Sequence, residues 1–290
     1  MRPGMRVSPV LVVLVVLSVV PGLTSAEPRH RAKPKPTPAH AAPKAARRSS
    51  PVAVRYLGSD PIGPLAVVRD GKVNAPSRSA CRSWGPVGSR WTELDAYGRP
   101  AGAVVVTRAE RYDATNCDEL TVRRTEGRAG AGVYVSAPPS STSARAATSP
   151  FEASRVGETV REALERVVAP IQRTVTELES GAKKAPPPML VFQDRRSGAR
   201  FAVVGGRALV IARWDGSRWI VEHTEKPADK KATAGAYKAR AVVDMTHDGQ
   251  PSVVFHVREG DGEWFGDGTL VRTKDGRWHS VDAGIYGSTA

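Results

Sequence analysis

The side chains of this 290-residue chain able to do more than pack are few: six histidines, two cysteines and a scatter of carboxylates. Four histidines, His223, His247, His256 and His279, fall in the last third of the chain, where a zinc cluster has to be considered. Zinc sites usually include a close pair such as His-x3-His. Here the separations are 24, 9 and 23 residues, and each histidine sits in or beside a separate strand pattern, so the spacing argues against zinc. For acyl transfer there is no Gly-x-Ser-x-Gly elbow to present a serine. Glycoside hydrolysis needs only two facing carboxylates, which Glu93, Asp95, Asp118, Glu119, Asp244, Asp248 or Asp261 could supply. The glycine-rich stretch from Gly127 to Gly132 fits neither the phosphate-loop nor the dinucleotide pattern and has no helix signal after it.

One short stretch has the form of a cation loop. Asp244-Met245-Thr246-His247-Asp248-Gly249-Gln250-Pro251-Ser252 runs into the apolar Val253-Val254-Phe255. Calcium takes hard oxygens from alternate residues, with a glycine at the sharp turn. The stretch resembles the Asp-rich repeat of FG-GAP/VCBS-type secreted proteins, and Phe265-Gly266 extends the resemblance over residues 244–266. The resemblance implies calcium held by Asp244 and Asp248. Thr246 stands where a carboxylate or amide is usual, and Ser252 where a closing acid would be. A metal-free Asp-Gly turn is the competing reading, and apart from this loop no cofactor is expected.

The six tryptophans have two possible uses. Trp214, Trp219, Trp264 and Trp278 could stack on sugars, as exposed indoles do, or cover the apolar face of hairpins. Their position beside Asp-Gly turns favours cross-strand packing. Trp84 and Trp91 complete the set.

The elements that position these residues begin with an export signal. Arg2 and Arg6 precede an almost unbroken apolar run, Val7 to Leu23, and Thr24-Ser25-Ala26 offers the small side chains that a signal peptidase admits. Residues 1–26 therefore read as a signal peptide. An uncleaved anchor is the alternative, and the chain after residue 26 holds no further apolar stretch of spanning length. Nine of the Lys and Arg residues and a single acid lie in residues 1–51, so more than half of the formal charge of +14 sits there. Residues 27–51, with Lys and Pro alternating at 33–36, are expected to be a disordered, extended tether able to touch an anionic cell-envelope polymer. Nucleic acid is not expected, because the body carries no recognised nucleic-acid motif. In an oxidising compartment two cysteines without a Cys-x-x-Cys pattern most simply pair, and a Cys81–Cys117 bridge would stabilise the fold by about 3–4 kcal/mol.

From residue 52 to 137 short apolar runs alternate with turn chemistry, and Asp70-Gly71 between Val68 and Val73 is a hairpin signal. Residues 138–150 read as a Ser/Pro linker. Residues 151–180 carry apolar residues three and four apart, which predicts an amphipathic helix, kinked or broken near Ala169 by Pro170. From 189 to 290 strands return. Two stretches, Leu209 to Trp219 and Thr269 to Trp278, each read as strand, Asp-Gly turn and Trp-led strand. The expected fold is mainly β (α+β), with antiparallel hairpins and meanders in two modules and one long amphipathic helix between them. The functional expectation is an exported, non-enzymatic binding or structural protein in the periplasm, the cell envelope or outside the cell. A carbohydrate-active hydrolase with paired carboxylates and a calcium-stabilised adhesion module are the alternatives.

Overall fold

The computed structural model describes residues 55–59, 63–77, 84–112, 117–136, 149–173, 189–226, 236–259, 264–281 and 286–288, all within the unit Ser49–Ala290. The signal peptide, the basic tail, Cys81, Asp261, residues 138–148 of the linker and residues 174–180 of the expected helix lie outside the described residues.

Three antiparallel sheets and one helix make up the described fold. Sheet A takes its seven strands from the first half: β1 (Arg55–Ser59), β2 (Gly63–Arg69), β3 (Lys72–Asn74), β4 (Arg90–Leu94), β5 (Pro100–Tyr112), β6 (Cys117–Gly127) and β7 (Val133–Ser136), in the order β3-β2-β1-β7-β4-β5-β6. The β2–β3 hairpin turns on Asp70 and Gly71, with φ of 52° and 69°, the pair of positive angles that a two-residue type I′ turn needs. Sheet B is a meander of β8 (Phe151–Ala153), β9 (Met189–Asp194), β10 (Arg200–Val204), β11 (Leu209–Trp214) and β12 (Trp219–Glu225). Sheet C contains β13 (Ala236–Val243), β14 (Ser252–Glu259), β15 (Trp264–Arg272) and β16 (Trp278–Val281), with β17 (Tyr286–Ser288) pairing the start of β15. The two related stretches are the β11–β12 and β15–β16 hairpins, one in each of sheets B and C.

Side-chain alternation decides how the sheets stack. On β14, Val253, Phe255 and Val257 pack with Phe192, Phe201, Val203, Leu209 and Ile211 of sheet B. Val254, one residue out of phase, packs instead with Leu57, Leu65, Leu94 and Val133 of sheet A. Sheet C is thus a middle layer with sheet A on one face and sheet B on the other. The two halves of the chain share buried surface, and their modules are sheets rather than separate cores.

The helix α1 (Glu158–Arg173) closes the outer face of sheet B. Its stripe of Val160, Leu164, Val167, Val168 and Ile171 meets Val191, Ala202, Val204, Val210, Ala212 and Trp219. Two expectations need correction here. Phe151–Ala153 is a strand, fully buried at Phe151 and paired to β9, so the helix begins seven residues later than its apolar spacing suggested. Pro170 does not break the helix, which continues to Arg173. Proline removes one amide donor there, close to the end of the helix, and Gln172 holds that end down: its side chain donates to the carbonyls of Gly205 and Ala208 and accepts from the Ala208 amide. The end of the linker is also built in. Ser149 donates to the Tyr97 carbonyl at 2.5 Å, and Arg195 donates to the Ser149 carbonyl at 2.6 Å.

Candidate functional site

The residues singled out by sequence are placed apart, most of them in structural work. Glu93 is 2% exposed and accepts from Arg124 at 2.5 Å and from the Gly130 amide at 2.8 Å. Asp95 accepts from the amides of Tyr97 and Arg99 and from the Arg99 guanidinium, closing the β4–β5 turn. Asp118 and Glu119 stand opposite Arg111 and Glu110 on the β5–β6 hairpin. Cys117 is buried at the start of β6.

In the cation loop, Asp244 Oδ2 accepts from the Gly249 amide at 3.1 Å. Asp248 Oδ1 accepts from the Thr246 hydroxyl at 2.7 Å and from the Gln250 amide at 3.0 Å. The Asp248–Gln250 bond is that of an Asx turn, and the Asp244–Gly249 bond closes the loop around it. The second Asp244 oxygen is buried without a hydrogen-bond partner, and burial together with the Asp248 charge raises the Asp244 pKa. No group of three or more His, Cys, Asp or Glu side chains suited to a metal occurs among the described residues. His223 contacts Glu225, His256 contacts Asp267, His247 occupies the loop at a φ of 59°, and His279 is exposed on β16.

The tryptophans pack. Trp219 is 4% exposed and donates to the Val160 carbonyl of α1 at 2.9 Å. Trp214 meets it edge to face, with ring centroids 5.4 Å apart. Trp278 is 8% exposed, with its indole N–H on Glu222 at 3.0 Å. Sugar stacking by Trp219 and Trp278 is corrected accordingly: each leads the return strand of a hairpin, and an indole there turns inward because the sheet has an apolar layer to fill. The Trp264 side chain lies outside what is described.

Two constellations went unmarked in the sequence. The first is a clamp between sheets B and C. Glu222 accepts from Arg213 Nε at 2.6 Å, from Arg272 Nε and Nη2 at 3.1 and 3.2 Å, and from Trp278 Nε1. Arg272 also reaches Gln250 and lies over the Phe201 ring, 5.4 Å from its centroid. Burial acts to raise the Glu222 pKa, but the donated hydrogen bonds and the Arg272 charge outweigh it and hold the carboxyl below its ordinary value.

The second lies on the face of sheet C that carries Val254. Lys238, His256 and Asp267 are direct cross-strand neighbours on β13, β14 and β15. His256 Nδ1 lies 2.8 Å from Asp267 Oδ1, and Arg240 reaches over β14 to the same oxygen at 3.2 Å. The Asp267 side chain is 6% exposed, the Arg240 guanidinium side chain 19% and the His256 imidazole side chain 29%, and Lys238 and Arg258 are exposed. Thr269, two residues from Asp267 on the same face, is fully buried with its hydroxyl unpartnered. The sequence did hold a signal: Lys238 and Arg240, and then His256 and Arg258, recur with period two on strands that are otherwise apolar.

Among the described residues no helix is long and apolar enough to cross a membrane. Comparison of the chain with protein-family models, with curated proteins and with solved structures finds no match.

Proposed function

We propose that this is an exported, non-enzymatic binding protein, released from residues 1–26 by a signal peptidase and held near the cell envelope by the basic spacer 27–51. The observation that carries this reading is the use the fold makes of its polar groups. Glu93, Asp95 and Glu222 are bound by arginine and backbone donors, and Trp219 and Trp278 are sealed into the core. Groups tied down in this way stiffen a scaffold, and a stiff scaffold suits presentation of a binding surface. A Cys81–Cys117 bridge belongs to the same reading. Cys117 is buried at the edge strand of sheet A, and no free cysteine occurs among the described residues.

Retention on insoluble cell-wall polymer, compared with and without residues 27–51, tests the tether. Reduced retention of the shortened chain is expected, and equal retention of both would sink the polymer-binding tail. The mass of the exported chain tests the rest: it should begin at Glu27, and alkylation should reach its cysteines only after reduction.

A further inference from the structure

The row of cations on sheet C exceeds what the fold requires. Asp267, nearly buried, needs a positive partner, and Arg240 at 3.2 Å supplies it, with the His256 ring nitrogen 2.8 Å from the same oxygen. Lys238 and Arg258 are surplus to that need. Lys238 faces His256 directly, Arg240 lies two residues along the same strand, and Arg258 lies two residues beyond His256. Lys238 and Arg258 are diagonal neighbours across β13 and β14, within reach of each other as long side chains, and like charges so placed repel, a cost that an anion laid across them would relieve. With strands about 4.8 Å apart and a rise of about 3.4 Å per residue, the cations extend roughly 12 Å along the sheet, a span that meets successive charged groups of a polymer rather than one small ion.

We propose that Lys238, Arg240, His256 and Arg258 form the seat of an anionic polymer, with Lys238 and Arg258 binding successive oxyanions and Arg240 and His256, fixed on Asp267, bounding the seat. The shared chemistry is a repeating carboxylate or phosphate. The seat would name the ligand class of the binding protein proposed above, but it does not depend on the tail or on export.

The test uses the full chain and two probes, polyphosphate and polygalacturonate, read by thermal unfolding. With residues 27–51 acting as the spacer proposed above, polymer bound only there protects the sheets little. A ligand held by the folded sheet stabilises it in proportion to ln(1 + [L]/Kd) and should raise Tm by about 5 °C or more at a hundredfold excess over Kd. The double substitution Lys238→Gln with Arg258→Gln leaves the Asp267 contacts in place. It should leave Tm without polymer unchanged or slightly higher, and weaken polymer binding roughly tenfold or more. Lys274→Gln with Arg277→Gln removes the same charge from the exposed β15–β16 turn and should bind like the parent. A shift with polyphosphate alone identifies a phosphate polymer, and one with polygalacturonate alone a polyuronate. The proposal is overturned if neither probe shifts Tm, if the turn variant weakens binding as much as the sheet variant, or if only anionic lipid vesicles bind through Lys238 and Arg258. Failure of the tether reading would appear separately, as equal envelope retention with and without residues 27–51.

Discussion

Replacing Glu222 by Gln should loosen the join between sheets B and C. The carboxylate receives four donated hydrogen bonds from three side chains, two of them guanidinium groups, and is only 11% exposed. Glutamine is nearly isosteric but has one acceptor oxygen, so whichever way it is turned its NH2 faces donors on the other side. Removing one member of a buried ion pair costs about 3–5 kcal/mol, because the partner charge is left uncompensated. Arg213 is 36% exposed and Arg272 18%, so water can reach part of what is lost. The expected loss is accordingly about 2–3 kcal/mol, and since each kcal/mol moves Tm by about 2–4 °C in a domain of this size, Tm should fall by about 5–10 °C at neutral pH. Acid supplies the control. Because Glu222 titrates below its ordinary value in the folded chain, its contribution is complete above the unfolded glutamate pKa of about 4.3 and is lost as pH falls through the folded value. Calorimetry of parent and variant should show the gap closing as pH drops below about 4. A gap under about 1 °C at pH 7, or one that persists undiminished in acid, would refute the view that charge at Glu222 ties the sheets together.

The contact between sheets A and C is tested by glycine substitutions. Gly98 has a φ of 71°, and a Cβ there would lie 2.6 Å from the Val242 carbonyl oxygen, so Gly98→Ala should cost about 2–4 kcal/mol in urea unfolding. Gly71→Ala, with a similar φ of 69° and nothing within 4 Å, should cost only about 1–2 kcal/mol. Equal costs would mean that the β4–β5 turn does not press on sheet C. Asp215 should titrate at about 2 in a carbon-detected NMR experiment, because the Ser217 and Arg218 amides donate to it. Its contribution to stability is then lost between about pH 3.9 and 2, and titration near 3.9 would show that the turn is open. Millimolar calcium and excess chelator should give the same Tm, since Asp244 Oδ2 and Asp248 Oδ1 already face internal donors and only Asp244 Oδ1 is left without one; a rise with calcium would restore the calcium-repeat reading.

How far the fold could be read from sequence depended on whether a segment's burial is local. The β2–β3 hairpin was legible because Asp70-Gly71 specifies its turn without help from the rest of the chain, and α1 was legible because its stripe has the helical period. Phe151 was not. In sequence it continues the stripe of α1, and only its pairing across β9 makes it a strand. The persistence of α1 through Pro170 depends on Gln172 reaching the β10–β11 connection, more than thirty residues away. The Glu222 clamp likewise joins Arg213, Arg272 and Trp278 from three strands in two sheets, a proximity that no spacing encodes. At the Asp244 loop the local pattern offered both a cation site and an Asp-Gly turn, and only the contacts tell where its oxygens point: the Gly249 and Gln250 amides close the turn, while one Asp244 oxygen is left without a partner.

The stacking order itself explains the run that looked least like a half-buried strand. An antiparallel strand with one wet face alternates apolar and polar residues, whereas Ala241-Val242-Val243 and Val253-Val254-Phe255 do not alternate. Val242 and Val253 face sheet B, while Ala241, Val243 and Val254 face sheet A. A strand buried on both sides has no room for unpaired charge, and sheet C obeys this as far as His256, where the face toward sheet A turns cationic while Phe255 and Val257 on the other face stay in the core. The change from Val254 to His256 and Arg258 therefore marks where the apolar contact with sheet A ends along β14. Beyond it the strand has one buried face and one open one, and the open one carries Lys238 and Arg258, which no buried acid among the described residues requires.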